Sequence, residues 1–436
     1  MKKILTMLMV VAVIFGLASC KKGPKDDRTE ITFWHMFPVG SVPYAKVKKV
    51  IDNYNNSQDL YKVKATGFGF WDYWDKIDIA ISSRTTPDIG LNTVDNVKYR
   101  ANGKVLYNIS DLIKADTSEN NIDLNEFRET HLESSSFNGD LYAMPFSATT
   151  RVLYYNLDLF DELGLTEADV PKTWSELQTI AKMFDKVDGN GKIQRLGFDP
   201  TYGQATYHGW LWQTGEDFFD DNLNITLNTQ THKDVLQWMV DFNKEYSVVQ
   251  LSTFGESNQL LGTGPFVSQR VAMIIEVDDL YLNIEDAGAT FRYGVAPIPV
   301  PDEDGIRVNW GSGFSIEMYD NGKKNEAKKA GAFDFLKYVM SYETQQELSK
   351  ATGWLMSHIS AMEDLVANDP IKSKLLQEVD YAVERRYVPY APQWTAGDWQ
   401  PFYTRATERK DSVDKVLADA RAFYQEKKDN YERTNK

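Results

Sequence analysis

Four carboxylates are the groups in this 436-residue chain whose types and placement could do chemistry: Asp95, in a loop after Pro87-Asp88-Ile89, and Glu276, Asp278 and Asp279, which close the apolar run 271–275. Paired acids are what cleavage of a glycosidic bond requires, one as acid and one as base or nucleophile. Two of these four would therefore define a glycosidase, although a sequence does not measure their separation. The trio has a plainer reading as caps for a following helix. Segment 185–193 superficially looks like a calcium loop, but registering Asp188, Asn190 and Gly191 as ligands puts Lys186 at the first position and Gly197 at the last, so a surface turn is expected. The chain has no His-Glu-x-x-His, no Gly-x-Ser-x-Gly, no P-loop and no cysteine spacing for a metal. Metal and nucleophile chemistry lose their footing, and neither a metal site nor a cofactor is expected.

The elements that must position these groups begin after an export signal. Lys2 and Lys3 precede the apolar run 4–15, and Leu17-Ala18-Ser19-Cys20 supplies a small-residue cleavage site. Residues 1–19 read as a signal peptide. Cys20 is the sole cysteine, which excludes an intramolecular disulfide, and its position resembles a bacterial lipobox, implying lipid attachment there. Residues 20–29, with Lys21, Lys22, Lys25 and Arg28 around a Gly-Pro step, read as a lipidated tether whose basic groups could rest near headgroups. The rest is ordinary globular composition, 42% hydrophobic and 25% charged, with length for two domains. A formal net charge of −15 repels phosphate backbones, so no nucleic acid partner is expected.

Within that body, 30–37 reads as a strand running into Pro38 and Gly40, followed by a helix over 44–55, a strand over 60–67, a helix over 71–83 and a strand over 87–91. Strands alternating with helices predict an α/β fold with a mostly parallel sheet, whose ligands bind at the carboxyl ends of strands. That directs attention to the loops 35–40 and 92–96. A second set follows the turn Asn138-Gly139-Asp140: strands over 141–145 and 151–155, a helix over 157–163, and a helix through 184 begun by a capping box of Thr173 and Glu176. Further strands are predicted over 271–275, 293–298 and 314–318, and helices over 326–340, 344–352, 370–384 and 412–424. Trp71 and Trp74, at helical spacing, are expected in the core.

The order of motifs then resembles a known family. Asn138-Gly139-Asp140-Leu141-Tyr142-Ala143-Met144-Pro145-Phe146, Leu153-Tyr154-Tyr155-Asn156, Leu159-Phe160 and Pro171-Lys172-Thr173-Trp174-Ser175-Glu176-Leu177 are similar to extracellular solute-binding protein family 1, the maltose-binding-protein-like, sugar-binding lipoproteins of ABC importers. Val271-Ala272-Met273-Ile274, Tyr293-Gly294-Val295-Ala296-Pro297-Ile298-Pro299 and Trp310-Gly311-Ser312-Gly313-Phe314-Ser315-Ile316 support it. The resemblance implies a two-lobe, periplasmic-binding-protein-like type II fold with a hinge. The lobes are discontinuous: 30–146 with about 296–345 form the N-terminal lobe and 147–295 with about 346–436 the C-terminal lobe, with crossings near 145–151 and 293–310. It also implies a carbohydrate ligand, the transmembrane subunits of an ABC importer as partners, a monomer without enzymatic activity, and an extracytoplasmic location anchored to the bacterial membrane through Cys20.

Sugars offer hydroxyls and flat C–H patches, so a carbohydrate cleft needs carboxylates, amides and aromatic faces together; the chain has 11 Trp and 23 Tyr. By resemblance, Asp95 would hold a sugar hydroxyl and Asn92 sits where some members place a stacking Trp. Thr149 and Arg151 occupy the first crossing, and Trp310, Gly311 and Ser312 the second, where glycine lets backbone N–H groups approach solute. Tyr202 and Trp210 lie in a region that supplies aromatic ligands; Trp210 and Trp212 are two apart, so one of them at most faces the cleft. Trp394 and Trp399 bracket a late loop, of which one should stack on solute. Alternation puts Trp34 and Met36 on one strand face and His35 on the other, making His35 a cleft candidate. Glu276, Asp278 and Asp279 stand close to where the family has a stacking Trp. That departure favours hydrogen bonding, or a cationic group such as an amino sugar. The competing readings are a non-sugar solute such as a polyamine, the glycosidase, and an adhesive lipoprotein that binds no small molecule.

Overall fold

In β1 (Thr29–His35) Ile31, Phe33 and His35 turn inward, the alternation of a strand half-buried against a core. The computed structural model describes residues 26–259, 264–311, 313–323 and 325–434. The expected signal peptide, Cys20 and the tether as far as residue 25 lie outside them. Helix Val42–Ser57, whose first turn is capped by the Ser41 hydroxyl accepting from the Tyr44 amide, carries the chain to β2 (Tyr61–Gly67). Helix Phe70–Ser83 then leads to β3 (Ile89–Thr93), and both β2 and β3 lie parallel to β1. These are right-order βαβ units, as the alternation of patterns predicts.

A hairpin of β4 (Ser136–Phe137) and β5 (Asp140–Leu141) turns on Asn138 and Gly139, at φ 53° and 85°, where both central residues of a tight hairpin need the left-handed region. It delivers β6 (Ala143–Pro145), after which the chain leaves this lobe. In the second lobe, β7 (Arg151–Asn156) is buried at all six positions. The capping box forms as read: Thr173 accepts from the Glu176 amide while the Glu176 carboxylate accepts from the Thr173 amide, opening helix Trp174–Phe184. The 185–193 segment is a surface turn between β8 (Lys186–Val187) and β9 (Ile193–Arg195), with the Asp188 carboxylate accepting from the Asn190 and Lys192 amides at 2.9 and 3.0 Å. β10 (Met273–Val277) and β11 (Tyr293–Ala296) flank β7, both antiparallel to it. The mostly parallel sheet expected from the pattern is thus true of β1, β2 and β3, whereas the second sheet is built antiparallel around β7.

The chain then passes through β12 (Asn309–Trp310) and re-enters the first sheet as β13 (Phe314–Met318), giving the order β2-β1-β3-β13-β6 with β13 antiparallel to both neighbours. The last crossing holds β14 (Ala382–Val383), parallel to β12. Three segments therefore cross between lobes, the third being the return that the expected lobe bounds place near 346. Helices Tyr342–Thr352 and Ile359–Val366 stay with the first lobe, the former lying on Val42–Ser57, so the return to the second lobe comes near residue 379 rather than 346. The helix expected over 370–384 ends at Glu378, and the final helix runs longer than expected, Val413–Thr434.

Two buried clusters result: one fills the first lobe and continues into the second on one face of the β10-β7-β11 sheet, taking in Val152, Tyr154, Ile274 and Val295, and the other lies on the opposite face of that sheet with the last helices. Trp71 is 81% exposed, so its placement in the core is corrected; it starts the helix and points outward, while Trp74 half-buries against Phe314. Beneath the first sheet, Arg100 and Glu317 form a buried pair: Nε donates to both carboxylate oxygens at 2.9 and 3.0 Å and Nη2 to the Thr93 carbonyl at 2.6 Å. This pair fixes the end of β3, from which Asp95 projects. Removing one member leaves an uncompensated buried charge. Arg100→Leu is expected to cost about 3–5 kcal/mol in urea unfolding, while Arg100→Leu with Glu317→Leu recovers most of that. A single variant as stable as the parent contradicts this assignment.

Candidate functional site

The interlobe site is assembled where the three crossings meet the ends of β3 and β10. Thr150 is its fastener: its hydroxyl lies within hydrogen-bond distance of Asn309 Oδ1 (2.9 Å) and the Glu378 carbonyl (3.0 Å), and Asn309 Nδ2 donates to that same carbonyl at 2.9 Å. The Gly311 amide donates to the Val383 carbonyl at 2.9 Å. A Cβ at Gly311 would stand 3.0 Å from the Ala382 Cβ and 3.3 Å from Glu384 Oε1, so the bare backbone is what lets β14 come close. Thr149, half-buried, flanks this point with its carbonyl.

Next in the chain, Arg151 is buried with its guanidinium 4.2 Å over the Trp310 ring. Nη1 donates to the Trp310 carbonyl at 3.0 Å, Nη2 faces Gln204 Oε1 at 3.5 Å, and Nε has no partner. Four carboxylates act on this arginine through space, Asp278, Glu384, Glu276 and Asp279, yet none forms an ion pair with it among the described residues. Burial therefore dominates them. It pushes Glu276, Asp278 and Glu384 each up to about 7, against which Arg151 pulls only weakly, and Asp279 is raised for the same reason. The neighbouring Asp279 charge adds to the upward push on Asp278. Asp278 Oδ1 accepts from the Thr150 amide at 3.1 Å, and Asp279 accepts from the Trp354 side chain. Asp279 precedes helix Leu280–Asp286 but makes no side-chain cap bond, so it is not a helix cap.

Aromatic rings wall this cluster. Trp74, Phe314 and Trp354 form a stacked ladder on the first-lobe side, with centroids 6.0 and 4.9 Å apart. Trp310 lies at the crossing, its Nε1 without a partner. A cavity of about 490 Å³ opens beside it, lined by Asp95, Lys98 and His131 of the first lobe, Trp212 and Asp217 of the second, and Glu384, Arg385 and Arg386 of the last crossing. Asp95 pairs with Arg385, which also reaches the Thr395 hydroxyl, so the two lobes are joined across the cleft. Another cavity, of about 520 Å³, lies behind the hinge against Val152, Val295 and Pro171; its charges are internally paired, Lys374 with Glu167 and Arg307 with Glu378.

The sequence candidates divide accordingly. Asp95, Thr149, Arg151, Glu276, Asp278, Asp279, Trp310 and Gly311 are brought to the crossings and strand ends; Ser312 lies outside the described residues. His35 is corrected: it is 1% exposed, accepts from the Phe37 amide at Nδ1, and burial holds it down at about 4, a neutral core imidazole. Asn92 is also core, bonded to the Tyr319 hydroxyl and the Thr93 amide. Trp210 is buried against Trp174 and Trp238 and donates to the Pro200 carbonyl; its neighbour Trp212 faces the cavity instead. Trp394 and Trp399 are both buried, the first donating to the Arg386 carbonyl and the second stacked on Tyr207, so neither is free to stack on solute. Tyr202 gives its face to Phe254 and its hydroxyl to the Leu251 carbonyl, while Gln204, two residues on, reaches Arg151. Sequence reasoning missed Trp354, Glu384 and Arg385. The signal for the last two was the β-favouring Ala382-Val383 pair ahead of Pro389, which does not suit a helix continuing to 384.

With this geometry in place, comparison with known proteins identifies the class. The model of the family described as bacterial extracellular solute-binding protein matches residues 49–375, and the chain belongs to that family. It is 26% identical over 250 residues to the arabinooligosaccharide-binding protein of Bacillus subtilis, covering 56% of this chain and 54% of that one. It is 22% identical over 382 residues to the sn-glycerol-3-phosphate-binding periplasmic protein of Brucella abortus, covering 84% and 83%. The mannotriose-bound structure of CpMnBP1 superposes with a TM-score of 0.77 at 21% identity, over 91% of this chain and 100% of that one. The fold is the two-lobe α/β fold of periplasmic solute-binding proteins.

The raised carboxylates make stability depend on pH in a defined sense. A carboxyl with a folded-state pKa of about 7 binds a proton more tightly folded than unfolded, so its contribution is complete below about pH 4 and lost as pH rises through about 7. The buried histidines His35, His131 and His208, held at about 4, about 4 and about 3, act in the opposite sense, losing their contribution as pH falls from about 6.5 toward those values. Between about pH 6.5 and 8 the carboxylates therefore dominate. The melting temperature of ligand-free protein should fall across that window and fall less in Glu384→Gln. An identical slope in both proteins counts against the burial of this cluster.

Proposed function

We propose that the protein captures a carbohydrate in the interlobe cleft outside the cytoplasm and delivers it to the transmembrane subunits of an ABC importer. The observation that carries this reading is the convergence, at the three crossings, of buried carboxylates, an arginine with an unpartnered N–H and indole faces from both lobes. Carboxylates accept from sugar hydroxyls, Arg151 and Trp310 donate to ring and hydroxyl oxygens, and Trp354 offers a face to C–H patches. Family membership agrees with capture, as do relatives whose names specify oligosaccharides.

Closure supplies the mechanism of delivery. A solute touching both lobes favours the shut form by its differential affinity for that form, and the importer reads the shut form. In this reading the mature chain begins at Cys20, which carries the lipid that tethers a monomer to the membrane. No helix among the described residues is long and apolar enough to cross a bilayer. In this reading the acids bind rather than cleave, with Asp278 also accepting from the Thr150 amide and Asp279 from the Trp354 side chain.

Calorimetry and thermal shift against short arabino-, manno- and malto-oligosaccharides test the reading, with sn-glycerol 3-phosphate and spermidine as non-sugar arms. A ligand at 100 times its Kd raises stability by about 2.7 kcal/mol. Asp279→Asn and Trp354→Ala should each weaken sugar binding by about tenfold to a hundredfold, the cost of a hydrogen bond to a charged group or of a stacking face. Saturable binding with the sugar recovered unchanged by chromatography supports capture. New reducing ends, or binding confined to a non-sugar arm, overturn it.

A further inference from the structure

Resting on the carbohydrate reading, the charges and orphaned atoms of the cleft point to a narrower ligand class. Glu276, Asp278, Asp279 and Glu384 crowd one arginine, and that arginine spends both Nη groups on neutral acceptors, the Trp310 carbonyl and Gln204. The next cation, Arg385, is taken by Asp95. Lys98 acts on Glu384 across the cavity without pairing with it among the described residues. The site therefore holds more carboxyl groups than it has cations to pair with them. A neutral sugar donates hydroxyl hydrogens to such carboxylates but brings no charge, so the desolvation that burdens them is not relieved. An ammonium brings three donors and a full positive charge, and indole faces such as Trp354 and Trp310 attract it further.

Orphaned atoms separate an amine-bearing sugar from a simple polyamine. Arg151, 5% exposed, has an unpartnered Nε–H, and Trp310 has an unpartnered Nε1–H; both are donors seeking an acceptor. Glu384 Oε2 is an unpartnered acceptor in the same cluster. A protonated polyamine has donors and no acceptor, so it would satisfy Glu384 and leave both N–H groups orphaned in a dry site. A sugar carrying a free amine offers both complements on one ring, the ammonium for the carboxylates and hydroxyl or ring oxygens for Arg151 and Trp310. We propose that the cleft selects an amino sugar with an unacylated, protonated amine, seated between Glu384, Asp279 and the indoles of Trp310 and Trp354.

The test is calorimetric titration of the mature protein with a short glucosamine oligomer, its N-acetylated counterpart, the neutral glucose oligomer of equal length and linkage, and spermidine. The free-amine oligomer should bind at least about tenfold more tightly than either sugar lacking the amine, the scale expected for one charge-assisted contact. Its affinity should fall with ionic strength while that of the neutral oligomer stays level, a comparison that needs no variant. Glu384→Gln should shrink the preference to below about threefold without abolishing neutral-sugar binding. Equal affinity for amine and neutral oligomers overturns the amine assignment and leaves carbohydrate capture standing. Binding of spermidine in the absence of binding by any sugar overturns both.

Discussion

Nearly everything functional in this molecule depends on how three chain crossings are tied at Thr150. One hydroxyl and one asparagine, Asn309, meet at the carbonyl of Glu378, each from a different crossing. Because these atoms are buried, each must find its partner, and the partners lie on separate segments. The tie consequently sets the spacing of residues one or a few positions away: Arg151 next to Thr150, Trp310 next to Asn309, and Glu384 just beyond Glu378 through the β12–β14 pairing. A cluster of charge and indole is thereby assembled from stretches of chain more than 200 residues apart.

Burying carboxylates beside too little positive charge costs stability, and such a cost is found where function requires it. The first lobe shows the contrast. Arg100 and Glu317 are both buried, yet they pair bidentately and serve the fold by holding the end of β3. Glu276, Asp279 and Glu384 have no such partner among the described residues, and Glu384 Oε2 has no hydrogen-bond partner. An arrangement of this kind is poised for a partner from outside. It also explains why the glycine-bearing crossing is narrow: a side chain at Gly311 would push β14 away and remove Glu384 from Arg151.

How much of this was legible in the sequence follows from the range of the forces involved. Local signals were read correctly because the physics is local: the Thr173 capping box, the Asn138-Gly139 turn and the inward alternation of β1 each involve a few consecutive residues. The motif order was enough to identify the family and its two-lobe fold. What failed was the choice between aromatic residues of equal local character. Trp210 and Trp212 share one short helix, Tyr207–Trp212, and which of them faces the cavity is decided by Trp174 and Trp238, neither of which is near in sequence. Trp394 and Trp399 were attractive because their loop resembles the late aromatic loop of the family, yet the final helix covers that loop and buries both, with the Tyr424 hydroxyl reaching the Trp394 carbonyl. His35 failed for the same reason, since the residue that claims it, Phe37, is part of a turn that folds back over the strand end.

Closure in this molecule has two distinct electrostatic components, and they respond differently to ligand. The Asp95–Arg385 pair spans the cleft mouth and is complete without solute, with Arg385 also held by Thr395. Such a pair joins the two sides of the cleft through groups of the chain's own. The carboxylates around Arg151 oppose closure when the cleft is empty, because shutting removes water from charges that nothing else neutralises. A ligand that supplies the missing partners converts that opposition into attraction. Its differential affinity for the shut form is what offsets the cost of burying those carboxylates. The unneutralised carboxylates at the crossings are the groups on which such a change of sign would act.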